Sequence, residues 1–197
     1  MPSPFSLGTS VQHPPEPPVM PATQYIPEQG KYGLRNKEGP LNNDHLCPDT
    51  DVTRPVVLLV YQPIEGLIQR HRDLHWSLGW EVSNKGFRLI HIQTHNDVRD
   101  PQPIPRYVYW GGQTKTAGNA TRMAQKFFIG NLSLQQRQQI ERIAQTVEVA
   151  SPNGQWNCQN WIDVLLRKLV EHGVITSAAW AEAMAGARGA YRDCLAD

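Results

Sequence analysis

Apolar residues recur along the 197-residue chain with two distinct periods. Near the C-terminal end, Ile162, Leu165 and Leu169 fall on one line when each residue is turned 100° from Cys158. Trp161 and Leu166 flank that line, and Asp163, Arg167 and Glu171 lie opposite. The spacing predicts an amphipathic helix that opens at Cys158 and stops at Gly173, a residue that enters the left-handed region without strain. A second helix is predicted after Ser133, which forms a capping box with Gln136 and precedes an apolar side of Ile140, Ile143, Ala144 and Val147. A third starts near Thr176 or Ser177 and carries Trp180, Met184, Ala187 and Tyr191 on one stripe.

The second period is two. Residues 55–61 (PVVLLVY) are apolar on both faces and read as an internal strand. Residues 75–82 alternate strictly, with Trp76, Leu78, Trp80 and Val82 on one face and His75, Ser77, Gly79 and Glu81 on the other. The His75 face is small, so the helix start is expected to approach there. Residues 83–86 (SNKG) read as a tight turn in which Gly86 supplies a positive φ. A bulge at Gly86 sets Ser83 opposite Phe87 and puts His91, Gln93 and His95 of the returning strand on the His75 face, with His95 directly opposite His75. Residues 66–71 read as a short helix or turn, 97–105 as a proline-containing loop, 106–110 as a strand, 111–123 as a polar loop and 126–129 as a further strand. The fold class that follows is α+β: an antiparallel sheet with the cysteine-bearing helix packed on it and two further helices.

The first 54 residues break this order. Eleven of the sixteen prolines lie in residues 1–55, and no apolar period is visible there. This segment reads as a Pro-rich extended or disordered arm that folding does not require, ahead of a folded domain over 55–197. A net charge of +1 without long runs of one sign points away from a nucleic-acid partner. No apolar stretch is long enough to span a membrane, and the N-terminus has no secretory pattern. Three cysteines, Cys47, Cys158 and Cys194, without CxxC spacing fit a reducing compartment, so a cytoplasmic location is expected.

Cys158 carries the candidate chemistry. A thiol in the first turn of a helix faces free N–H groups and a partial positive charge, which favour the thiolate. His75 is the candidate base, a strand histidine with small neighbours. A buried structural cysteine and a hydrogen-bonded core histidine are the plain alternatives. A metal site of His71, His75, His91 and His95 is a further alternative, although no carboxylate stands at ligand spacing within these strands. No metal or cofactor is expected.

The order His75, Leu89-Ile90-His91-Ile92, Asn157-Cys158-Gln159 resembles the circularly permuted papain-like cysteine hydrolases and acyltransferases. That group includes lecithin:retinol acyltransferase-like proteins and relatives of NlpC-type cell-wall peptidases. The likeness covers residues 55–173, and the chain is also similar to fungal proteins of unassigned activity with His-Trp-Ser-Leu and Asn-Cys-Gln motifs. The resemblance implies a permuted papain-like fold and thiol-dependent acyl chemistry on a small-molecule or peptide substrate, by hydrolysis of an amide, ester or thioester or by acyl transfer. It implies Cys158 as nucleophile, His75 as base and His91 as the residue that orients His75, with Gln93 and His95 left open by turn geometry. The N–H of Gln159 is the candidate oxyanion donor. The alternative is an inactive interaction module on the same fold.

Overall fold

The computed structural model describes residues 22–67, 69–96 and 105–192. Its strands are β1 (Tyr25–Ile26), β2 (Arg54–Val60), β3 (Trp76–Glu81), β4 (Gly86–Ile90), β5 (Ile92–His95), β6 (Arg106–Tyr109), β7 (Gln113–Thr116), β8 (Gln125–Leu132) and β9 (Val149–Ala150). Its helices are α1 (Asn119–Met123), α2 (Leu134–Ala144), α3 (Cys158–Glu171) and α4 (Ser177–Gly189). The architecture is α+β. Five antiparallel strands form the main sheet in the order β7-β4-β3-β2-β8, so the doubly apolar β2 is internal as its sequence requires. β5 pairs with β6, and β1 with β9, in two small ribbons.

One face of the sheet carries the main core. Trp76, Leu78 and Trp80 of β3 meet Val56, Leu58 and Val60 of β2, and α3 covers them with Trp161, Ile162, Leu165 and Leu169. Each such side chain, fully withdrawn from water, contributes about 1.5–3 kcal/mol before entropy is counted. The opposite face is a smaller cluster of Leu59, Phe87, Leu89 and Ala124, edged by Val57 and Tyr61. The helix therefore packs on the tryptophan face of β3, not on the small face of Ser77 and Gly79. Gly79 is small for another reason: a Cβ there would lie 2.5 Å from Arg88 O in the neighbouring strand.

The hairpin keeps the expected parity and changes the register. Glu81 pairs with Phe87, Gly79 with Leu89 and Leu78 with Ile90, two residues away from a Ser83–Phe87 pairing. The cause lies in the turn. Ser83 Oγ accepts the N–H groups of Lys85 (3.2 Å) and Gly86 (2.9 Å), and Gly86 does not take a positive φ. Gly86 is required by crowding, since a Cβ there would meet Cys47 Cβ at 2.8 Å. Gly173 does end α3 with φ +66°. Residues 113–116 and 119–123, read as loop, are an edge strand and a short helix. β7 is held by backbone pairing to β4 and has no apolar alternation to announce it. Most of the expected 97–105 loop lies outside the described residues, as do Ile68 of the expected 66–71 turn and Cys194.

Residues 22–54 are mostly irregular but tied to the domain. Asp49 accepts two hydrogen bonds from the fully buried Arg137 (2.9 and 2.7 Å) and one from Trp80 Nε1 (2.9 Å). Asp44 pairs with Arg88, which also holds Glu141 of α2 at 2.8 Å. Tyr25 and Ile26 pair with Ala150 and Val149. These contacts argue against a segment that folding can do without, because removing Asp49 leaves a buried guanidinium without its anion. Composition reported the prolines and hid the two aspartates that matter.

Candidate active site

The cysteine helix begins with a complete cap. Asn157 Oδ1 accepts the N–H of Gln159 (2.9 Å), and Asn160 Oδ1 accepts the N–H of Asn157 (3.0 Å). Cys158 is the first residue of α3 and is buried. Its Sγ lies 3.9 Å from Leu74 O, so the thiol rests against the backbone just before β3.

The main ladder opens at this point. Tyr61 N–H donates to His75 O (3.0 Å), so the polar backbone groups of His75 and Ser77 face β2 and those of Trp76 face the other way. The β3–β4 pairing ends at Leu78–Ile90, and the chain turns off into β5. The Trp76 N–H is left without a strand partner and is directed at Cys158 Sγ. The thiol occupies the gap where the two strands part.

His75 immediately precedes β3, and its ring leaves the strand on the Tyr61 and Ser77 side. Tyr61 lies 5.2 Å from it between ring centroids, and the Tyr61 and Ser77 hydroxyls are 3.2 Å apart. His75 Nε2 and His91 Nδ1 share a hydrogen bond of 2.7 Å. His91 sits between β4 and β5 and is buried, and its Nε2 has no partner among the described residues. His75 and Cys158 border one cavity of about 310 Å³, together with Arg72, Ile92, Tyr107 and Asn157. Among the described residues no hydrogen bond joins the thiol to either imidazole: Cys158 packs with the tryptophan-face core, the His75 ring leaves β3 on the Tyr61 and Ser77 side, and what the two groups share is the border of one cavity.

Burial controls the charge of all three groups. It pushes His75 down to about 4, with the positive Lys115 adding to the effect. It holds His91 well below the usual imidazole range, helped by His75 and Lys115. It pushes the Cys158 thiol up, against the opposing pull of the N–H groups of Trp76, Cys158 and Gln159. A helix start alone predicts a lowered thiol; here desolvation is the larger influence. The resting site is a neutral thiol beside neutral imidazoles.

The other candidates are placed elsewhere. His71 Nε2 is 2.9 Å from Ala187 O, and His95 packs edge-on to Trp110 at 5.6 Å. Only His75 and His91 of the four histidines meet, and the described residues contain no cluster of three or more His, Cys, Asp or Glu suited to a metal. Gln93 is partly buried in β5 and pairs with Val108. Cys47 is a free thiol near Ser83. The Gln159 N–H is already taken by the cap, so Cys158's own N–H is the one among the first three of α3 that Asn157 does not hold.

Asn157 and Gln159 have a role that the sequence hid. Asn157 Nδ2 donates to Arg72 O (2.6 Å), and Gln159 Nε2 donates to His71 O (2.8 Å) and Leu74 O (3.0 Å). The amides on either side of the cysteine thus grip the turn that delivers His75. Arg72 and Tyr107 were also missed, because neither stands in a motif and both reach the cavity through the fold. No protein-family model matches the chain, no curated protein matches it, and no solved structure matches it.

Proposed function

We propose that the protein performs cysteine-dependent acyl chemistry, with Cys158 as nucleophile, His75 as general base and His91 as the residue that orients His75. The observation that carries this reading is the cavity bordered by both Cys158 and His75, together with the 2.7 Å bond from His75 Nε2 to His91 Nδ1. The reading takes the tautomer in which His75 Nε2–H donates to His91 Nδ1, which leaves His75 Nδ1 free to accept the thiol proton. A histidine held near 4 is neutral at pH 7 and available as a base. Because the thiol is raised, its proton leaves as sulfur attacks the acyl carbonyl. The oxygen of the tetrahedral species gathers charge next to the N–H groups of Cys158 and Trp76, which Asn157 does not hold. His75 then returns the proton to the leaving group. Water or a second nucleophile, activated by the same imidazole, releases the acyl group. Thiol and imidazole are expected to close to hydrogen-bond distance when substrate fills the cavity, as apo sites often sit looser. The likeness of His75, His91 and Asn157-Cys158-Gln159 to the permuted papain-like group supports the same assignment, and with it a permuted papain-like arrangement of the domain.

A panel of amide, ester and thioester substrates tests the reading. Turnover and a transient acyl adduct on Cys158 are expected, and both vanish in Cys158→Ser. Turnover that survives Cys158→Ser contradicts it. A native protein that turns over nothing and forms no adduct, yet binds a partner, supports the interaction-module reading.

A further inference from the structure

We propose that a second cavity beside Cys158 is an anion-binding subsite, which holds a carboxylate or phosphate group of the substrate between Arg72 and Arg188. The proposal names the substrate class for the acyl chemistry above and rests on that reading for its biological meaning, though not for the binding itself. The cavity has a volume of about 240 Å³ and is bordered by Arg72, Trp76, Asn157, Gln159, Asp163 and Arg188, among others. Arg72 and Asn157 also border the thiol cavity, so the two spaces adjoin across this pair.

The charges do not cancel. Asp163 is engaged by Arg167 (3.1 Å) and Trp180 Nε1 (3.0 Å), both outside the cavity lining. Asp73, at the rim of the thiol cavity, is held by Arg70 at 3.2 Å. The Arg72 guanidinium donates to Gly154 O, a neutral acceptor, and its charge is felt at Tyr107 inside the thiol cavity. Neither Arg72 nor Arg188 has a carboxylate partner among the described residues. Two guanidinium groups without a salt-bridge partner among the described residues, with Arg72 held by Gly154 O and felt at Asp73, border a small polar space, and such groups bind a carboxylate or phosphate with parallel hydrogen bonds. The space and its lining do not suit a long hydrocarbon chain.

The probe is the ratio of Cys158 alkylation rates with iodoacetate and with iodoacetamide, read by peptide mapping. The ratio cancels the ionisation of the thiol and needs no turnover. In the native protein it is expected to exceed that of a small free thiol by about fivefold, to fall with added salt, and to drop to the free-thiol value in Arg188→Gln. Glutarate and inorganic phosphate, added separately, show which anion protects the thiol. If neither reagent reaches the sulfur, chemical-shift titration of native protein and Arg188→Gln with the same two anions decides. A ratio equal to that of the free thiol, or one unchanged in Arg188→Gln, overturns the proposal, as does the lack of saturable binding in the titration. Acyl turnover that continues alongside such a result would leave the Cys158 assignment standing, so the two failures are distinguishable.

Discussion

Position 159 needs a donor. The side chain of Gln159 faces two carbonyl oxygens, those of His71 and Leu74, and only an N–H can satisfy both. A carboxylate here would set negative charge against two acceptors. Gln159→Glu is therefore expected to loosen the turn before His75. Exposing or unpairing buried carbonyls costs about 1–3 kcal/mol. We expect kcat with the best substrate to fall by about tenfold or more near neutral pH, while Gln159→Met, similar in shape but unable to repel the carbonyls, loses less. If Gln159→Glu matches the native protein in both melting temperature and kcat, the clamp has no part in positioning His75. Cys158 itself shows why one residue's surroundings must be weighed together. Its helix start pulls the thiol toward ionisation, burial pushes it the other way, and burial wins.

Among the elements, α3 was the most legible in the sequence, because its stripe and glycine stop agree, while the Asn157 cap went unread. The face it would cover was not legible. Alternation in residues 75–82 separates the two faces of β3 without saying which one receives a helix, and the larger tryptophan face won the contact. Hairpin parity was legible and its register was not, since Ser83 Oγ, and not a left-handed Gly86, closes the turn. With that register and the ladder ending at Leu78–Ile90, it is His91, and not His95, that bonds His75. Of the N-terminal arm the structure bears on residues 22–54, residues 1–21 lying outside the described residues. Its proline content suggested a removable tail, yet Asp49 pairs with an arginine that is fully out of water. A chain beginning at Thr53 is expected to lose about 3–5 kcal/mol from the unpaired Arg137, a drop on the order of 10 °C in Tm. A cooperative melt at the native temperature would show that Arg137 finds another partner.

At the scale of the molecule, the site exists because a ladder ends early. β3 and β4 part after Leu78–Ile90, α3 brings its first residue to the gap, and His91 stands where the chain turns from β4 into β5. Sequence carries the residue types for this arrangement but not the gap, which depends on β5 pairing with β6 instead of continuing along β3. The central claim is that Cys158 is acylated with His75 as its base. Its most direct test is the single-turnover rate at which an acyl thioester loads Cys158, followed by intact mass in the native protein and in His75→Ala, with melting temperatures measured alongside. A general base contributes about 10²–10⁴-fold. The account predicts acylation at Cys158 slowed by at least about a hundredfold in a His75→Ala protein that still folds. Equal acylation rates in the two proteins, or a native Cys158 that never takes an acyl group from a substrate the protein turns over, would contradict it.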